Sequence, residues 1–205
     1  MTILSVNKTR ESMGALRSFF IGMGAYCAHF LLSGVTYMRK STRYMAHAAI
    51  IAALYAVLTH VQNILFPDSA SMAIQFRASE ALCVLAFFTP AAIPGLTLGC
   101  LVFNITSAAA LPLDFLVGSL ATLLATQAMW MTRKVTVKGR PLIGLLMPAL
   151  TNAILVGWEL TAYIGGGFLI NAVSVALGEI AVLLTLGSLL YYAMKKRGLD
   201  RILFG

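Results

Sequence analysis

The chain has 205 residues, 60% of them hydrophobic and only 11% charged, with a mean hydropathy of +0.87. Soluble domains run near half apolar and a quarter charged, so a soluble reading is excluded. The apolar residues arrive in runs long enough to cross a bilayer, not in the short alternating segments of an outer-membrane barrel, which predicts an all-α, polytopic membrane protein. Fifteen Lys and Arg against seven Asp and Glu give +8; in a membrane protein this excess reports cytoplasmic loops and argues against nucleic acid as a partner.

Residues 1–37 come first and read as an N-terminal extension to a domain over 38–205. Residues 16–38 are apolar enough for a further span, yet they carry Arg17 and His29. A seventh span would also place Lys8, Arg10 and Arg17 on the outer side, against the charge rule. A secretory signal fits poorly, because the cationic region is long and no small-residue cleavage site follows. Met38, ahead of Arg39 and Lys40, is an alternative start. Two readings stand: an upstream extension with no role in the site, or a peripheral or extra helix.

Six transmembrane helices are expected from there, over 44–66, 77–88, 90–108, 113–132, 141–164 and 168–194. The second is short and is punctuated by Thr89, Pro90 and Pro94, which predicts a tight helical hairpin with its tip near one membrane face. Gly165, Gly166 and Gly167 make the turn before the last helix. Basic clusters precede the first span (Arg39, Lys40, Arg43), fill the loop after the fourth (Arg133, Lys134, Lys138, Arg140) and follow the last (Lys195, Lys196, Arg197, Arg201). They share one face only if the number of spans is even, so both termini are expected in the cytoplasm. The acids run the other way. Asp68, Glu80, Asp114, Glu159 and Glu179 all fall outside or in the outer half, where Arg77 is the only base.

An ionisable side chain near the bilayer centre costs about 2.5–3.5 kcal/mol on insertion scales, so each is a functional candidate. Glu179 is expected near mid-membrane and Glu159 closer to the outer end of its helix. Asn152, Val156, Glu159 and Tyr163 share one face of the fifth helix, and Asn171, Val175 and Glu179 one ridge of the sixth. Two polar faces in an apolar bundle should meet, either as a ligand site or as interhelical hydrogen-bonding glue. Arg77 and Glu80, at i and i+3, form either a local capping pair or an inward-facing group, with Gln75 and Arg77 closing over a ligand. Asn104 and Asp114 also lie at the outer ends of their helices, although Asp114 sits favourably at a helix N-terminus in any case. Trp158, beside Glu159, is either a belt aromatic or a stacking platform.

The chain lacks a GxxxxGK[ST] phosphate loop, paired histidines of metalloprotease spacing and a nucleophilic serine motif. No enzymatic machinery, metal site or cofactor is therefore expected. Cys27, Cys83 and Cys100 have no CxxC spacing and read as small core residues. On the first span, Ala48, Ala52 and Ala56 form one small-residue stripe, with Ala49 and Ala53 beside it. Such stripes permit close approach of another helix, from within the bundle or from a partner.

Four stretches carry a family resemblance: AHAAIIAALYAVLT, IQFRASEALCVL, LDFLVGSLATLLAT and LGEIAVLLTLG. Together they resemble the QueT family of substrate-binding S components of energy-coupling-factor (ECF) transporters, from residue 43 to about 196. The resemblance implies a six-helix S component in a bacterial cell membrane, binding a queuosine precursor of 7-deazaguanine type in its outer half. It also implies a transmembrane T subunit docked on the alanine stripe of the first helix, and two cytoplasmic ATPases. The residues suit that ligand independently. A guanine-type edge offers adjacent N–H donors to a carboxylate, an aminomethyl precursor adds a cation, and Asn or Gln can meet the remaining edge. The rival is a self-sufficient, proton-coupled carrier of a cationic or purine-like solute, although inverted repeats are not evident.

Overall fold

The computed structural model describes residues 42–67, 76–107, 110–137 and 140–204. The expected extension over 1–37 lies outside these, as do Asp68 and Gln75. Every described candidate site residue belongs to one compact unit, Met45–Gly205.

Helices account for almost all of the described residues, and among them there is no strand, only an isolated bridge between Val137 and Arg140. Helix α1 spans Thr42–Leu65, a 3₁₀ helix spans Ala78–Phe87, and α2 and α3 span Ala92–Thr106 and Asp114–Thr132. A single turn, α4 (Leu142–Leu145), leads into α5 (Met147–Tyr163), the break falling where Pro148 cannot supply an N–H to the turn before it. Helix α6 (Phe168–Val182) continues through a π-helical segment (Leu183–Gly187) into α7 (Ser188–Lys196), and α8 (Leu199–Phe204) ends the chain. Gly165 and Gly166 turn the backbone into α6 with φ of 86° and 81°, a conformation side chains with a Cβ resist.

Four of these stretches are long and apolar enough to cross a membrane: Thr42–Leu65, Asp114–Thr132, Leu142–Tyr163 and Phe168–Lys196. The chain is an all-helical, multi-pass membrane protein. The expected second and third spans are shorter. At about 2.0 Å per residue the ten-residue 3₁₀ helix reaches about 20 Å, and the fifteen-residue α2 about 22 Å at 1.5 Å, against a hydrocarbon core of about 30 Å.

The 3₁₀ helix is buried on every side, from Ser79 through Phe87 apart from the half-buried Leu82. It is therefore a central element, with α2, α3, α6, the π segment and α7 packed around it. Its neighbours approach closely through glycine. A Cβ on Gly95 or Gly99 of α2 would lie 2.7 Å from the carbonyl oxygen of Ala48 or Ala52 on α1, and one on Gly157 of α5 would lie 2.8 Å from Cα of Ala172 on α6. Ala48 and Ala52 of the stripe are thus packed against α2, and Ala56 is buried as well. Ala49 and Ala53 remain exposed. Outside the bundle, Ile50, Leu116, Ile154, Leu177 and other large apolar side chains are exposed, as a lipid-facing surface requires.

Candidate functional site: a buried acidic cluster

In a 3₁₀ helix residues three apart stack in line, so Glu80 and Cys83 lie on one ridge that continues back to Arg77 at the N-cap. Arg77 and Glu80 are 4% and 1% exposed, so they do not form a solvated cap, and both are buried in the bundle. Tyr55 on α1 donates its hydroxyl to Glu80 Oε1 at 2.5 Å, and Cys83 donates its thiol to Oε2 at 3.1 Å. The start of the 3₁₀ helix is fastened to α1 by side chains. Gln62 donates to the carbonyl of Phe76 and accepts from the Ala78 N–H at 2.7 Å, while Thr59 donates to Ser79 Oγ at 2.7 Å.

The other candidates arrive from α2, α3, α5 and α6. Asn104 donates to the Asp114 carbonyl at 2.8 Å, drawing the C-terminal end of α2 and the N-terminal end of α3 together, and Gly118 makes room for it: a Cβ there would lie 2.7 Å from Asn104 Nδ2. Asp114 accepts from the Leu111 N–H at 2.8 Å, the local helix-start role, yet it is also 2% exposed and acts electrostatically on both Arg77 and Glu159. Asn152 donates to Glu179 Oε1 at 2.9 Å, so the polar faces of α5 and α6 do meet. Glu159 is fully buried. Asn171 is apart from them, donating to Thr161 Oγ1 and the Gly165 carbonyl at 3.0 Å each.

Arg77 is the hub of this group. Its guanidinium lies 5.8 Å from the Phe103 ring centroid and 3.9 Å from Cys100 Sγ, and it acts electrostatically on Glu80, Asp114, Glu159 and Glu179. Among the described residues, four buried carboxyl groups and one buried guanidinium therefore interact inside the bundle. The unmatched atoms among these residues all have one character. Both oxygens of Glu159, Oε2 of Glu179 and Oδ1 of Asn104 are buried without a hydrogen-bond partner, and all four are acceptors. Leaving such a group unpaired costs about 1–3 kcal/mol, more if charged. Among the described residues no three His, Cys, Asp or Glu side chains are grouped to hold a metal ion.

The sequence model of the QueT transporter family matches residues 45–196. The chain belongs to the QueT transporter family. A curated relative, the queuosine precursor transporter QueT of Lactococcus lactis subsp. cremoris (strain MG1363), is 39% identical over 90 residues, or 42% of this chain. The match spans 49% of that relative, about half its length. No solved structure matches the chain. The QueT match encloses the whole acidic cluster and stops short of α8.

Of the expected site residues, Arg77, Glu80, Asn104, Asp114, Asn152, Glu159 and Glu179 are all buried in the bundle. Trp158 is 55% exposed and faces away from the bundle interior, as a belt aromatic does. Tyr55, Thr59 and Gln62 were not expected to contribute. Their i, i+4, i+7 spacing puts all three on one buried face of α1, and that spacing is the signal that marks them.

Proposed function

We propose that the chain is the substrate-binding S component of an ATP-driven ECF importer, and that it takes up a queuosine precursor of 7-deazaguanine type. The carrying observation is the set of unmatched acceptors on Glu159, Glu179 and Asn104 beside a four-to-one excess of carboxyl groups over guanidinium. A deazaguanine presents adjacent N–H donors on its guanine-type edge, which a carboxylate accepts as a pair, and an aminomethyl group supplies the cation. Arg77 is the donor for a ring carbonyl, and the buried Phe103 and Tyr55 are the aromatic surfaces nearest it. In this reading a T subunit and two cytoplasmic ATPases supply the energy, both termini are cytoplasmic, and six helical segments, including the two short ones, traverse the bilayer.

The test is binding to the purified full chain. The aminomethyl deazaguanine should bind more tightly than its neutral nitrile counterpart, and both more tightly than adenine, whose edge presents an acceptor where guanine has a donor. Equal, weak binding of all three would overturn the assignment. One observation favours a second reading: the carboxyl groups of Asp114 and Glu159 act directly on one another, an arrangement that also suits a proton carrier. Uptake by the chain alone, driven by a proton gradient without ATPase partners, would decide for that rival.

A further inference from the structure

At the end of the bundle where the 3₁₀ helix, α3 and α7 finish, a cleft of about 330 Å³ opens between them and α8. Its lining shares no residue with the acidic cluster, and its charged groups are two bases and one acid. Arg133, Lys195 and Asp200 line it together with Phe88 and Tyr191. The aromatic wall is ordered, with Phe88 and Tyr191 stacked at 5.5 Å and 29°. Both cations are held against rings. The Arg133 guanidinium sits 3.6 Å from the Trp130 centroid while donating to the Trp130 carbonyl at 2.6 Å, and Lys195 Nζ lies 5.7 Å from the Tyr191 centroid.

Each cation is at a helix C-terminus, Arg133 as the C-cap of α3 and Lys195 in the last turn of α7, where the helix dipole favours positive charge. That accounts for a base at each place. It does not account for two bases converging on one cleft with a single carboxylate, Asp200, among the lining side chains. A guanidinium fork and an ammonium side by side recognise a tetrahedral oxyanion, and basic pockets between membrane helices take phosphate headgroups. The volume suits a headgroup and not a whole lipid. Away from the cleft, α3 and α7 present exposed apolar side chains, Met131 and Leu189, along which acyl chains can lie.

We propose that this cleft binds the phosphodiester headgroup of an anionic glycerophospholipid, with Arg133 and Lys195 on the phosphate and Asp200 accepting from headgroup hydroxyls. The inference is independent of the substrate assignment.

The experiment titrates purified full-length protein in a neutral detergent with short-chain phosphatidylglycerol, with phosphatidylcholine of equal chain length and with inorganic phosphate. Binding is read by native mass spectrometry and thermal stabilisation. Phosphatidylglycerol should bind at least about tenfold more tightly than phosphatidylcholine. Arg133→Gln with Lys195→Gln should abolish that preference, and Lys196→Gln, an exposed base that does not line the cleft, should keep it. If the double variant fails to fold, Lys195→Gln alone, at an exposed position, should still cut the preference about threefold. A preference that survives either variant, or an equal loss in Lys196→Gln, would overturn the site. Inorganic phosphate displacing the lipid at equal concentration would assign the cleft to a free anion and overturn the lipid reading.

Discussion

Glu159→Gln separates a ligand-binding carboxylate from a structural one, because the two roles predict opposite outcomes. Glu159 is fully buried, neither of its oxygens meets a protein donor, and the charge acting on it most strongly is Asp114, of the same sign. With no ligand role, the amide removes a buried like charge at little change in volume, so the protein becomes more heat-stable and ligand affinity does not move. With a bidentate role, the amide keeps one acceptor and turns an NH₂ toward the second ligand N–H. That loses a charge-assisted hydrogen bond and leaves a buried donor facing a donor, a combined cost of about 2–5 kcal/mol, or about 30-fold to several thousandfold in affinity. Glu179→Gln provides the internal scale. Its Oε1 already accepts from Asn152 and only Oε2 is unmatched. One hydrogen bond to a charged group is then at stake, about 1.5–3 kcal/mol, or about 10-fold to 100-fold. Calorimetric titration with the aminomethyl deazaguanine and a thermal-shift measurement on the same preparations give both quantities. Raised stability with unchanged affinity in both variants would refute the site.

Removing the Tyr55 hydroxyl by Tyr55→Phe deprives Glu80 Oε1 of its donor; the expected loss of stability is about 1–3 kcal/mol, checked by thermal or denaturant unfolding in detergent. Gly99→Ala places a methyl group 2.7 Å from the Ala52 carbonyl oxygen and 2.8 Å from Tyr55 Cβ, which should lower stability by about 1–3 kcal/mol in the same assay and weaken ligand binding by shifting Tyr55. If the proposed T subunit docks on Ala49 and Ala53, Ala53→Leu, at an exposed position, should leave stability and ligand affinity intact while blocking ATP-driven uptake with the proposed partners; normal uptake would refute that docking assignment. Single cysteines placed at Lys134 and Gly166 should be labelled from the cytoplasmic and outer sides respectively by impermeant reagents, and the reverse pattern would overturn the orientation.

Hydropathy alone determined that this chain lives in a membrane and where its long helices run, since the expected fourth span over 113–132 and the helix Asp114–Thr132 differ by one residue. It also singled out the buried acids, because a charge in an apolar run is conspicuous whatever surrounds it. Which way each helix faces was not legible in the same manner. In a bilayer the lipid side and the protein side of a helix are equally apolar, so the moment that orients a soluble helix is weak and only polar residues report the interior. Hence the facing of Asn152, Glu159 and Glu179 was readable, while Trp158 and the alanine stripe stayed ambiguous until packing placed one toward the outside and the other against Gly95 and Gly99. The tertiary structure alone decided the 3₁₀ geometry of Ala78–Phe87 and the inward turn of Glu80. An i, i+3 pair looks the same in a surface cap as in a buried ridge; Tyr55, distant in sequence, supplies the donor that holds Glu80 inside.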